Sequence, residues 1–258
     1  MSQSKSQYNL ILLFQSIRSN NRRFLFKCLR RGIFAFSIVT LALRLGGATT
    51  LPGPDVIWSI DKAQQERDRE LAGYAALEHY TVRNSHFEET AELTAKVSYQ
   101  RGPGKRYQVL WRKGSGFLQE RVINRIIKED AALSRSPERS HTLLTSANYS
   151  MKMEGMRLLH GEQCYVVHIR PRAHKYSLIE GRAWFDVESF SLLRIEGKPA
   201  ASPSFWTGRP FIEREYTILD GLSFPKHSRA TSKGFFAGKS QLDIDYSQYV
   251  VTKDRDAK

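Results

Sequence analysis

Apolar and polar residues alternate with a period of two along most of the chain after residue 90, and this alternation constrains the fold more than any other feature. One apolar stripe consists of Leu93, Ala95, Val97 and Tyr99. After the turn RGPGK at 101–105, a second stripe consists of Tyr107, Val109 and Trp111. Two alternating segments joined by a tight turn predict a long β-hairpin, with each stripe on one face of its strand.

Similar strand pairs follow along the rest of the chain. Each pair is separated by a short polar or glycine-containing turn, and Asp220-Gly221 is the strongest turn signal. The predicted pairs are 151–159 with 164–170, 179–187 with 191–196, and 212–219 with 222–229, before a last strand at 242–246. Consecutive strands without intervening helices predict one strongly curled antiparallel sheet of about ten strands with helices on one side, an α+β fold.

Three segments have helical spacing instead. Asp55 follows Pro54 as a helix cap, and the apolar spacing predicts a helix over 55–71 that ends at Gly73. A second helix is predicted over 117–132, with Ile123 and Ile126 on its apolar stripe, and a short third helix over 142–147.

The positive charge is concentrated at the N-terminus. The chain of 258 residues has a net charge of +14, and residues 1–48 contain eight basic residues and no acidic one. The remaining 210 residues have 32 basic and 26 acidic side chains, a net charge of +6, which does not favour a nucleic-acid-binding protein.

Residues 1–48 resemble an export signal. Twelve uncharged residues, GIFAFSIVTLAL at 32–43, follow basic residues and precede Gly46-Gly47-Ala48, a small-x-small cleavage site. We predict cleavage after Ala48, which leaves 49–258 as one exported, periplasmic domain. An uncleaved segment that anchors the protein to the inner membrane is the alternative. The segment before the apolar run is long, which leaves the start codon open, and Arg22-Arg23 leaves export by the general or the twin-arginine machinery open.

Motifs of common enzymes are missing from the sequence. It has no G-x-S-x-G nucleophile motif, no H-E-x-x-H metal motif and no cysteine pair, so we predict a non-enzymatic protein without metal or cofactor. Glu213 and Glu215 lie on one strand face about 7 Å apart, and a hydrolase using them is a minor hypothesis. Ion pairing with Arg214 on a solvated face is favoured instead. Cys164 is predicted to be a buried, inert thiol.

The segment SPSFWTGRPF at 202–211 concentrates large aromatic residues in a loop. Loops lie on the surface and often carry function. Phe205, Trp206 and Arg209 are therefore candidate contacts for another envelope protein. Packing of Phe205 and Trp206 back onto the sheet is an equally weighted alternative.

An export signal, a helix, a long hairpin, a second helix and then paired strands resemble the LolA-like outer-membrane lipoprotein carrier superfamily and its lipoprotein-sorting relatives. The similar segments are GEQCYVVHIRP (161–171), GRAWFDVES (181–189), LRI (193–195) and ILDGLSFP (218–225). The resemblance covers most of residues 54–250. It implies an unclosed β-barrel, or half-barrel, whose concave face is covered by helices.

The resemblance further implies an apolar cavity that holds acyl chains between the sheet and the helices. A lipid or acylated lipoprotein is then the expected ligand, with carriage to the outer membrane as the expected role and a regulatory module that binds an envelope protein as the alternative. No arginine in this sequence matches the cargo-releasing arginine of the carriers. The candidate lining residues are Leu93, Val97, Tyr99, Val109 and Trp111 from the hairpin and Ile123 and Ile126 from the second helix. Their packing as an ordinary dry core is the alternative.

The signal assignment can be tested by N-terminal sequencing of the protein recovered from the cell envelope. We expect the sequence to begin at Thr49, because a small-x-small site directs cleavage after its last residue. A product that retains residues 1–48 and stays in the inner membrane would instead support the anchored alternative.

Overall fold

The first and last strands of the sheet in chain order lie side by side inside it, as the third and fourth strands from one edge. The computed structural model describes residues 53–85, 89–203, 209–233 and 238–254, and these residues contain ten strands in one open antiparallel sheet. The strands are β1 (Leu71–Asn84), β2 (Glu89–Gln100), β3 (Gly104–Gly114), β4 (Tyr149–Leu159), β5 (Glu162–Pro171), β6 (Ile179–Asp186), β7 (Leu192–Pro199), β8 (Phe211–Leu219), β9 (Leu222–Lys233) and β10 (Lys239–Lys253). Their spatial order is β3-β2-β1-β10-β9-β8-β7-β6-β5-β4, so the predicted curved antiparallel half-barrel with a few helices is confirmed.

Helical segments precede β1 and follow β3. They are α1 (Gly53–Glu70), α2 (Gly116–Leu118), a π-helical turn (Gln119–Ile123), α3 (Asn124–Leu133) and a 3₁₀ turn (Glu138–Thr142). No helix among the described residues is long and apolar enough to cross a membrane.

Both helical layers pack on the same face of the sheet. Residues paired across an antiparallel ladder share a face, so this face can be followed through direct partners from one edge to the other. One such row is Leu93, Tyr80, Ile244, Ser228, Arg214, Ile195, Ala183, Val167 and Met153.

Two apolar clusters occupy the two halves of this face. Val56 and Ile60 of α1 pack against β5, β6 and β7, where Val167 and Phe185 are fully buried. The second cluster lies near the other edge and joins the helical segment to β1, β2 and β10. Its helical members are Leu118, Val122 and Ile123, and its strand members include Tyr80, Leu93, Leu242 and Ile244. Strands β8 and β9 form the middle of this face, between the two clusters.

Strand β1 is the main element that the sequence pattern does not reveal. Its segment LAGYAALEHYTVRN is rich in alanine, and it directs Glu78 to the inner face and Leu77 to the outer one, so its apolar residues do not follow a period of two. Gly73, predicted as a helix end, instead lies in β1, where a Cβ would approach the Tyr99 carbonyl oxygen to 2.7 Å. Glycine is required there by close strand packing.

Two further expectations are wrong. The predicted helix over 142–147 is absent, and the chain has a 3₁₀ turn at Glu138–Thr142 before an extended Leu143. In β3, a register shift inserts an extra residue between the partners of Thr94 and Ala95. Trp111 therefore pairs with Thr94 on the outer face and stacks near His79, away from the face of Tyr107.

The anchoring of α1 can be tested by a pair of substitutions on its two sides. Ile60 is fully buried, and we expect Ile60→Ala to lower the free energy of unfolding by about 2–5 kcal/mol because it removes apolar contacts and leaves a cavity. Trp58 is 65% exposed, and Trp58→Ala should cost about 0.5 kcal/mol or less. Urea unfolding measures both, and equal losses would contradict this packing.

Candidate functional site

A cavity of about 430 Å³ lies between the two apolar clusters on the helix-covered face. Its floor is formed by the middle strands β8, β9 and β10, and its roof by α3 and the 3₁₀ turn. The segments that follow β5 and β7 add Tyr176, Pro203 and Pro210 to its wall. The volume lies within the range of about 300–1,000 Å³ found for small-molecule sites.

The floor remains unfilled because the central strand carries small side chains. Two rows of direct cross-strand partners line it, Leu242–Ala230–Ile212 and Ile244–Ser228–Arg214. In each row β9 contributes a small residue between two larger ones. Small side chains in the middle of a concave surface leave space that the flanking residues cannot reach, and that space is the cavity.

The roof is attached to the sheet by polar contacts. No residue of α3 is fully buried. Asp130 of α3 accepts hydrogen bonds from Lys105, at 2.5 Å, and from the hydroxyl of Tyr107, both on β3. Lys105 also lies 3.7 Å from the buried carboxylate of Glu78 on β1, and Ser134 accepts a hydrogen bond from the Lys105 backbone. One lysine thus connects β1 and β3 with the C-terminal part of α3.

The electrostatics of this contact favour the charged pair. Burial alone would raise the pKa of Asp130, but the charge and hydrogen bond of Lys105, with the hydrogen bond from Tyr107, hold that pKa below its ordinary value. Burial lowers the pKa of Lys105, and Asp130 more than compensates, so the net pKa is raised. For Glu78, burial outweighs Lys105 and raises the pKa.

Arg214 is the charged residue of the floor. Its Nε donates to the hydroxyl oxygen of Ser228 at 2.8 Å. Burial would lower the pKa of its guanidinium, but Tyr216, Tyr246 and the more distant Asp130 raise it above the ordinary value, so the group remains a cation. A cation therefore lies directly beside the apolar row of the same floor.

The predicted lining residues lie in three environments: the cavity wall, the apolar core and the exposed part of the hairpin. Ile126 lines the cavity. Leu93 and Ile123 are fully buried in the second cluster, and Val97 is fully buried in β2. Tyr99 is buried beside the cavity, stacked on Tyr74 with the Arg139 guanidinium 4.9 Å from its ring centre.

The two remaining candidates of the hairpin are half-exposed. Val109 is 49% exposed and Trp111 is 45% exposed, the latter on the outer face. Ligand binding by the seven candidates remains a prediction, and the geometry favours Ile126.

The described flanks of the aromatic loop, Pro203 and Pro210, lie at the wall of the cavity. Phe205 and Trp206 fall outside the described residues. Arg209 donates to the Pro199 carbonyl oxygen at 3.4 Å and lies 3.9 Å from Glu180. Partner binding through this loop therefore remains a prediction.

Glu213 and Glu215 lie on the face away from the cavity. Arg194 of β7 contacts both, at 2.7 Å and 3.6 Å. The predicted ion pairing on a solvated face is therefore present, but Arg194 is the partner and Arg214 points to the opposite face. The hydrolase hypothesis requires a cleft around both carboxylates, and the strand face that carries them lies outside the cavity.

Other candidate chemistry can be placed as well. Cys164 is fully buried, and burial raises the pKa of its thiol, as expected for an inert cysteine. Within the described ranges, no group of three or more His, Cys, Asp or Glu side chains has the geometry to hold a metal ion.

The alternation of β8 could have identified Arg214. Ile212 and Tyr216 are apolar at positions two residues before and after it, so a strict period of two directs all three inward. The charge of Arg214 and its two acidic neighbours concealed this signal. The Lys105–Asp130 contact gives no comparable signal, because it joins a strand end to a helix 25 residues further on.

Comparisons with known proteins give matches among solved structures alone. No protein-family model matches the chain, and no curated protein matches it. Among solved structures, a DUF1329 family protein from Desulfovibrio piger matches with 13% identity and a TM-score of 0.40, covering 78% of this chain and 94% of that one.

Two other solved structures match similarly. A protein domain named for outer membrane lipoprotein sorting from Vibrio parahaemolyticus has 11% identity and a TM-score of 0.41, with 75% and 91% covered. A LolA superfamily protein from Nitrosomonas europaea has 12% identity and a TM-score of 0.40, with 80% and 96% covered. Proteins of the predicted lipoprotein-sorting and LolA-like groups are thus among the solved structures that the chain matches.

The attachment of α3 can be tested through Asp130. We expect Asp130→Asn to lower the free energy of unfolding at pH 7 by about 1–2 kcal/mol, less than for a fully buried pair because Asp130 is partly exposed. The folded-state pKa of Asp130 is depressed. Its stabilisation is therefore present above the ordinary carboxyl range, near pH 4, and is lost as the pH falls through the lower folded value.

Glu120→Gln is the matched control, because Glu120 is an exposed acceptor on the same helical segment and its bond from Asn124 survives the change. Urea unfolding at pH 7 and pH 2.5 should show a loss for Asp130→Asn only, and this loss should be smaller at the lower pH. A loss of equal size at both pH values would disprove the charge-based attachment.

Proposed function

We propose that this chain is an exported binding protein that holds an acyl chain of a lipid or acylated lipoprotein in the cavity beneath α3. The observation that carries the proposal is the cavity itself, with an unfilled apolar row on its floor. Each buried methylene of an acyl chain contributes about 0.8 kcal/mol, so six of them contribute about 5 kcal/mol before ordering costs. Binding of this kind requires no reacting side chain.

The construction of the roof supports the entry of such a ligand. Helix α3 is attached by the Asp130–Lys105 contact and by half-buried apolar side chains such as Ile126 and Ile127, while the fully buried apolar side chains belong to α2 and the π-helical turn. Moving α3 away from the sheet therefore exposes less apolar surface than moving the π-helical turn away from it. We propose that the protein, once exported to the periplasm, carries this lipid or lipoprotein between the two membranes.

The proposal can be tested by filling the floor of the cavity. Ala230→Phe places a ring between Leu242 and Ile212, and we expect it to reduce binding of a fluorescent fatty-acid probe at least tenfold, because the ring occupies the space of the tail. Thr231→Phe places the same ring on the other face of the same strand and should bind the probe like the wild type.

Native mass spectrometry of protein purified without detergent gives a second measurement. The wild type and Thr231→Phe should retain or exchange an acyl ligand, and Ala230→Phe should not. A wild type that neither retains nor binds any acyl ligand would refute the proposed function.

A further inference from the structure

Arg214 lies where a ligand in the cavity would meet it. It belongs to the floor row with Ser228 and Ile244 and is two residues along β8 from Ile212 of the apolar row. Two residues along a strand correspond to about 7 Å. The floor therefore contains a cation, Arg214, about 7 Å from the apolar row of Leu242, Ala230 and Ile212.

The other cations that line the cavity have carboxylate partners. Lys105 contacts Asp130 at 2.5 Å, and Arg139 contacts Asp68 at 2.7 Å. These pairs neutralise the cations without any ligand.

Arg214 differs from them. Its hydrogen-bonding neighbours are the hydroxyl groups of Ser228 and Tyr216, and no carboxylate of the described part of the chain lies within 4 Å of its guanidinium. Arg214 is half-buried and stays charged, and a charge that is partly removed from water with no carboxylate in contact is costly. A ligand that supplies the counter-ion recovers this cost on binding.

The shape of the group narrows the ligand chemistry. A guanidinium has five N–H donors in a planar fork, which matches the paired oxygens of a carboxylate or a phosphate. Its Nε is taken by Ser228, which fixes the orientation of the fork above the floor. The adjoining row of Leu242, Ala230 and Ile212 offers no polar side chain and suits a hydrocarbon.

We propose that the cavity selects an anionic amphiphile, whose carboxylate or phosphate head binds Arg214 and whose acyl tail lies along the apolar row. This inference rests on the proposed function and adds to it the charge and orientation of the ligand. The tail supplies most of the affinity, and the head determines which amphiphiles are retained.

The test compares ligands of equal chain length that differ only in the head. Hexadecanoate and hexadecyl phosphate carry the anionic head, hexadecan-1-ol carries a neutral one, and inorganic phosphate is the head without a tail. We expect the wild type to bind the two anionic amphiphiles about 10- to 100-fold more tightly than the alcohol, the range of a charge-assisted hydrogen bond.

Arg214→Met should remove this preference and leave binding of hexadecan-1-ol within about threefold of the wild type, because the apolar row is unchanged. Arg214→Lys should retain part of the preference, since it keeps the charge and loses the fork. Arg157→Met, at an exposed site on β4, removes the same net charge and should behave like the wild type. The thermal midpoint of ligand-free Arg214→Met should equal or exceed that of the wild type, because an uncompensated charge is removed.

The outcomes separate the two proposals. Equal wild-type affinity for anionic and neutral amphiphiles, or loss of the preference in Arg157→Met, would overturn the role of Arg214 while the lipid-binding function stands. Binding of inorganic phosphate as tight as that of hexadecyl phosphate would show a site for free anions and would also overturn it. Failure of every amphiphile to bind would refute the proposed function itself. The wild-type comparison decides the question even where Arg214→Met does not fold.

Discussion

The pairing of β1 with β10 inside the sheet determines the rest of the structure. Because the first and last strands pair with each other inside the sheet, β3 and β4, which follow one another in the chain, lie at opposite edges. The segment between them must cross a face of the sheet. It does so along the inner face, where Ser136 bonds to Gly102 in the β2–β3 turn and Arg139 bonds to Asp68 of α1. The roof of the cavity is therefore a consequence of strand order.

Much of this arrangement can be read from local patterns. The paired segments around Asp220-Gly221 and the helices at 53–70 and 116–133 follow from turn chemistry and periodicity, which act over a few residues. Strand β1 could not be found in this way, because its apolar residues lie on both faces with Glu78 directed inward, and its stability comes from pairing on both sides. Trp111 was misplaced for a related reason, since one inserted residue reverses the face of every side chain beyond it.

The site was harder to predict than the fold, because it depends on contacts between distant parts of the chain. The hairpin stripe of Leu93, Val97 and Tyr99 has the composition expected of a lipid-contacting surface, and the structure buries it. The cavity opens instead over β9, where Ala230 and Ser228 give no hydrophobic signal. A ligand site forms where side chains are too small to fill the space. Apolar periodicity identifies positions with large side chains, so it does not reveal such a site.

Charges inside the fold serve two different purposes according to whether they are paired. The Lys105–Asp130 pair is complete within the protein and holds α3 in place, so its value is structural. Arg214 has hydroxyl partners and no carboxylate in contact, so its partial burial lowers the stability of the fold. Replacing it with an apolar residue of similar size would give a more favourable interior by the same reasoning. An anionic head group would give Arg214 the counter-charge that a purely apolar ligand lacks, and this is why the charge of the ligand, rather than its apolar part alone, bears on Arg214.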